Sequence, residues 1–156
     1  MKWYERTMRV RVLPLAVLLI TSLNMSMAPH AYAADDKPEL HLSSRPITDT
    51  YLQNGMVIAH GRVIYSEAHN GFQVWLNSPQ NGNSPNQYVI NGKNDSSHQL
   101  RVRTEQEGWT ADIKGGKGII SLTREEQASF DIVVDGTQDV MPDQYVIVAQ
   151  AVAILP

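Results

Sequence analysis

The sequence predicts an all-β sandwich. Apolar and polar residues alternate with period two in short runs, as in Phe72, Val74 and Leu76 against Gln73 and Trp75. Turn residues separate these runs, as at Asn91-Gly92, Asp135-Gly136 and Pro142-Asp143. No stretch of any length carries a helical period.

The first residues read as something other than fold. Met1 to Arg11 carries Lys2, Arg6, Arg9 and Arg11 against Glu5. Val12 to Leu23 is apolar, interrupted by Pro14, Thr21 and Ser22, and Ala31-Tyr32-Ala33 supplies a small-x-small cleavage pattern. That order is a secretory signal peptide over residues 1–33, cut after Ala33. A membrane anchor would need an apolar run of roughly 20 residues, longer than this one.

The remainder, 34–156, is the length of one domain. Of 13 basic and 16 acidic residues the leader takes four and one, leaving nine against fifteen, a net −6. A mildly acidic domain without a Lys/Arg stripe argues against nucleic acid as a partner. It offers no polybasic patch to anionic lipid either. There is no cysteine, so the exported domain has no disulfide to compensate for a small core.

In order, Ala34 to Pro38 is a polar tail and Glu39 to Leu42 a brief first strand. Ser43 to Gly55 is mostly connection. Met56 to Tyr65 is a long strand, with Gly61 as a bend or bulge. Phe72 to Leu76 follows a turn, and Asn77 to Asn86 is an exposed loop. Gln87 to Ile90 is a short strand. Gln99 to Thr104 alternates as a half-exposed one. Trp109 to Ile113 and Ile119 to Leu122 make a small hairpin about a glycine turn. Glu126 to Val134 and Gln144 to Leu155 are the last two long strands.

The final strand, Q-Y-V-I-V-A-Q-A-V-A-I-L, is apolar on both faces and belongs inside a sheet. Asp143-x-Tyr145 stands where an immunoglobulin-like domain places its tyrosine corner, at the start of strand F. On that plan the sequence stops where strand G should begin. The expected fold is therefore an immunoglobulin-like sandwich lacking G, with an unpaired apolar edge of the kind that recruits other chains. If Tyr145 points inward, period two sends Ile147, Ala149, Ala151 and Ala153 inward with it. Three alanines on a core face leave volume for an inserted strand to fill. The alternative is that large residues of the opposite sheet reach across to them. With Leu42, these five residues line the expected donor-strand groove.

The chemistry-bearing residues are sparse. His69 beside Glu67 reads as a turn-stabilising polar pair, since no second cluster completes a metal site. Gly115-Gly116-Lys117-Gly118 lacks the first glycine, the following Ser or Thr and the helix of a phosphate loop, and reads as a hairpin turn. Glu105, Glu107, Asp112, Glu125 and Glu126 read as solvated surface charge rather than a glycosidase pair. No catalytic residue, metal or cofactor is expected. Trp75 reads as core; Trp109, between polar residues, is the better exposed contact for a receptor.

The chain also resembles the AfaD-type invasin family, tip subunits of chaperone–usher surface fibres of Gram-negative bacteria. The residues that carry the likeness begin at Glu39-Leu40-His41-Leu42 and Gly61-Arg62-Val63-Ile64. The most specific run is Glu67-Ala68-His69-Asn70-Gly71-Phe72-Gln73-Val74-Trp75. Leu100-Arg101-Val102-Arg103-Thr104, Gly108-Trp109, Gly115-Gly116-Lys117-Gly118, Glu125-Glu126-Gln127, Phe130-Asp131, Asp135-Gly136-Thr137-Gln138-Asp139 and Tyr145 complete it.

The resemblance implies completion by donor-strand complementation. A periplasmic chaperone lends a strand first. The N-terminal extension of a fibre subunit replaces it at the outer-membrane usher. It also implies display at the cell surface after export through the periplasm, with integrins as host receptors. Ala34 to Pro38 is too short to serve as a donor itself, which places the chain at a fibre's end. One departure stands out: the family's cysteine pair between strands B and F falls at Tyr65 and near Ala153 here. A missing bridge costs about 2–5 kcal/mol and makes stability lean more on the inserted strand. Two rivals from other classes remain, a self-sufficient periplasmic binding or inhibitor module and a small secreted hydrolase.

Overall fold

A computed structural model describes residues 6–10 and 37–156. Among them, the strands in chain order are β1 (Arg6–Val10), β2 (Glu39–Ser44), β3 (Tyr51–Leu52), β4 (Val57–Ile64), β5 (Gly71–Leu76) and β6 (Gln87–Asn91). There follow β7 (Gln99–Glu105), β8 (Thr110–Ala111), β9 (Ile119–Ser121), β10 (Gln127–Val134), β11 (Gln138–Asp139) and β12 (Ile147–Ile154). The predicted strands are all present, and β8 and β9 form the predicted hairpin. The cleavage pattern at Ala31–Ala33 lies outside the described residues.

One sheet has the order β2-β4-β10-β7-β6 and the other β1-β12-β5-β9-β8, with β3 and β11 as a separate ribbon. In an immunoglobulin-like sandwich one sheet reads A-B-E-D and the other C-F-G. By sequence and place, β2, β4, β10 and β7 are A, B, E and D, while β5 and β12 are C and F. Residues 37–156 supply no strand at the G place.

That place is not empty, however. β1 occupies it, antiparallel to β12, with Arg6 opposite Ala151 and Val10 opposite Ile147. The unpaired edge expected for the final strand is corrected in one respect: Arg6–Val10, within the stretch expected to be a leader, pairs with it. The physical reason is that a sheet ladder is built from main-chain N–H and C=O groups. An extended stretch can fill it without carrying a strand's side-chain pattern. β1 also lies close to β2, so it spans the gap between the two sheets.

The core forms where inward faces meet. In β10, Phe130, Ile132 and Val134 are fully buried. Gly61 of β4 sits in register opposite Phe130. A Cβ there would come within 2.1 Å of the ring, so only glycine fits beneath it. The bend predicted at Gly61 is therefore a packing requirement instead. The register slips elsewhere, where Ile132 faces Ala59 but Val133 faces Val57.

β5 is buried on both faces. Its outer face is roofed by the turn between β8 and β9. Gln73 donates to the Asp112 carboxylate (2.9 Å) and the Lys117 carbonyl (2.7 Å). The Trp75 indole N–H donates to Gln150, and the Lys117 ammonium stands 3.7 Å from the Trp75 ring centre.

Candidate strand-accepting edge

β12 carries four of the six residues expected to line a groove and begins directly after a fifth, Tyr145, and its neighbour Val146. Its inner edge pairs with β5 from Ala149 opposite Leu76 to Ile154 opposite Gly71. Ile147, Ala149, Ala151 and Ala153 all belong to the buried core, as period two demands, and Leu42 and Tyr145 pack against it half-buried. The core they join also contains Phe72 and Phe130.

The start of β12 is fixed by two local devices. Residues 144–146 do not extend the strand. They form the tyrosine corner, with the Tyr145 hydroxyl donating to the Met141 carbonyl at 2.7 Å. Just before it, Asp143 is a hub. One carboxylate oxygen accepts from the Asn94 N–H (3.0 Å), the Asn94 side-chain amide (2.8 Å) and the Gln144 N–H (2.6 Å). The other accepts from the Asp95 N–H (3.0 Å) and lies 3.0 Å from His98 Nδ1. Gly92 makes room for it, since a Cβ there would come within 2.3 Å of the carboxylate. Burial pushes the Asp143 carboxyl up. The N–H groups of Asn94, Gln144 and Asp95, together with His98, outweigh burial and hold it well below the usual carboxylate range.

Beside this end of β12 a cavity of about 570 Å³ opens between the sheets. Ile47, Ile58, Leu100, Tyr145 and Ile147 give it an apolar lining. Sequence reasoning missed Ile47, Ile58 and Leu100, because only the fold brings residues so far apart in the chain to one mouth. In the sequence Asp143 stands out only as a neighbour of Tyr145. The Asn-Gly turn at Asn91-Gly92, which sits against it, was the available signal.

At the far end of β12 the Asn70 N–H donates to the Ile154 carbonyl (2.7 Å), and the neighbouring His69 ties two loops together. The ring sets Nδ1 2.7 Å from the Glu67 carbonyl and Nε2 3.0 Å from the Glu125 carbonyl. It also packs against Phe72 and Tyr65. The expected pairing with Glu67 is thus with its main chain rather than its carboxylate, and it joins two loops. Tyr65, where the family's cysteine pattern would place a thiol, is buried and set edge-on to His69.

Trp109 does not stand free as expected. It is half-buried, and its ring packs edge-on to Phe130 at 5.9 Å. The Gly115–Gly118 segment closes on Asp112, which accepts from the Gly115 N–H at 2.9 Å. Glu105 is paired with Arg103 at 2.7 Å, and Glu107, Glu125 and Glu126 are exposed. Among the described residues no three of His, Asp or Glu converge as a metal site would require.

β12 thus has a small-residue inner face and, on its outer side, a neighbour remote in sequence. The Enterobacteria AfaD invasin family model fits residues 49–151. The chain belongs to the AfaD invasin family. Protein AfaD of Escherichia coli is 45% identical over 108 residues, covering 69% of this chain and 73% of that protein. The Escherichia coli Hda pilus minor tip subunit, HdaB, superposes with a TM-score of 0.74 at 29% identity, over 77% of this chain and 85% of that one. The Salmonella SafD adhesin does so at 0.73 and 36% identity, over 76% and 85%. The relatives are fimbrial and adhesive subunits, and the sandwich is the immunoglobulin-like fold of that family.

Proposed function

We propose that this chain is a non-enzymatic tip subunit of a chaperone–usher surface fibre that accepts a donor strand along the outer edge of β12. Residues 1–33 are a leader removed at export. A periplasmic chaperone then holds the edge until, at the outer-membrane usher, a fibre subunit's extension replaces it. The assembled subunit serves adhesion to, or invasion of, host cells, with an integrin-type receptor.

One observation carries this reading. Among the described residues, only Arg6–Val10 pairs with the outer edge of β12, and that segment belongs to the leader. Cutting after Ala33 removes it and exposes the edge. Strand addition suits what is left: main-chain groups supply the affinity, and the alanine face supplies the shape. The kinship with a pilus tip subunit and an adhesin supports placement at the fibre end and the adhesive role.

The test compares two forms of the exported chain, one unaltered and one with a donor peptide fused after Pro156. The fused form is expected to be monomeric with a much higher melting temperature. The unaltered form is expected to aggregate, swap strands or remain bound to the chaperone. A sharp, high-melting transition of the unaltered, leader-free chain as a monomer would overturn the proposal and favour a self-sufficient periplasmic module.

A further inference from the structure

The direction of the strand beside β12 fixes where its occupant must leave. β1 starts opposite Ala151 and ends opposite Ile147. An occupant laid the same way therefore emerges at the Ile147 end of β12, over the cavity lined by Ile47, Tyr145 and Ile147. Two exposed apolar side chains stand at that end. Met141 is 58% exposed and Ile47 36%. Ile47 lines this cavity and, with Met141, a second, smaller hollow of about 200 Å³ that shares Leu100 and Tyr145 with the first. Exposed apolar side chains grouped at one end of a sandwich mark an interaction surface.

We infer that this mouth, built on Ile47 and Met141, is the seat of the folded body of the subunit that donates the strand. The inference rests on the strand-accepting reading above and adds a second contact to it. The occupant is fixed by continuity. The donor's extension leaves the groove at this point, so its globular part is the first surface the mouth meets. The two contacts act as one bivalent attachment, in which the seated strand raises the effective concentration of the body at the mouth. Tyr145 and Asp143 hold the mouth rigid by intrachain bonds, so its shape does not depend on the occupant. Without that rigidity the second contact would lose affinity to ordering.

The experiment uses the full chain exported with its leader and isolated with its periplasmic chaperone. Two probes are offered, a major fibre subunit with its N-terminal extension intact and a synthetic peptide of that extension. Displacement of the chaperone is followed for the parent chain and for the Ile47→Glu/Met141→Glu variant. The whole subunit is expected to be taken up by the parent at least about tenfold more readily than the peptide. The variant is expected to lose that advantage while taking up the peptide as the parent does. Hydrogen exchange on the parent gives a second reading should the variant fold poorly. The N–H groups of residues 47–50 and 143–145 gain protection with the whole subunit and not with the peptide. Equal uptake of the whole subunit by variant and parent would overturn the inference and leave strand acceptance standing. A concentration-dependent dimer of the chain, dispersed by the same substitutions, would assign the mouth to a second copy and overturn it too. Failure of the parent to take up either probe would sink strand acceptance itself, and the inference with it.

Discussion

β10 and β12 are each eight residues long and each lies one place or more in from a sheet edge. They fill their inner faces in opposite ways. β10 buries Phe130, Ile132 and Val134; β12 buries Ala149, Ala151 and Ala153. Both neighbours of β10, β4 and β7, come from the body of the domain, whereas the outer neighbour of β12 comes from residues 6–10. The difference separates two ways of specifying a strand's surroundings. Large side chains in a fitted core define β10 from within. On its outer side β12 meets its neighbour through main-chain groups, while its alanines lie against the core.

The contrast breaks most visibly at Phe130. Phe130→Ala removes the ring that Gly61 accommodates and should cost about 3–5 kcal/mol in urea unfolding of the strand-complemented protein. Gly61→Ala attacks the same contact from the other side. It should cost about 1–3 kcal/mol through overpacking, and the smaller ring-free side chain in Phe130→Leu should restore part of it in a double-mutant cycle. Ala151→Leu is the matching change in β12. It should also cost about 1–3 kcal/mol with a strand seated, and in addition slow donor-peptide uptake, an effect no β10 substitution of similar stability should reproduce. Tyr145→Phe deletes only the hydroxyl bond to Met141 and should lower stability by about 0.5–1.5 kcal/mol.

Asp143 distinguishes the two strands only in acid. Its folded-state carboxyl is held below the ordinary value by the N–H groups around it. Its contribution is therefore fully present above the unfolded-state value of about 3.9. It is lost as pH falls below that value. The urea midpoint of the parent should drop between pH 5 and pH 3 (about one unit either side of that value) more steeply than that of Asp143→Asn.

Much of this was legible in the sequence because its signals are local. Alternation located β5 and β7, and the Asp143-x-Tyr145 pair announced the corner. Period two counted from Tyr145 placed Ile147 and the three alanines on the core face. What was not legible depends on distant pairing. Arg-Thr-Met-Arg-Val at residues 6–10 has the basic character of a leader, and its place beside β12 is a long-range pairing. Trp109 stands between polar neighbours in sequence, yet Phe130 from another strand covers its ring. Ile47, Ile58 and Leu100 look like ordinary apolar residues until β2, β4, β7 and β12 are brought to one mouth.

The lengthwise lie of the strand beside β12 has a mechanical consequence. When an anchored occupant leaves at the Ile147 end and the domain is tugged away from it, the pull runs along the strand axis. Antiparallel ladder bonds stand across that axis, so they resist together in shear instead of opening one by one.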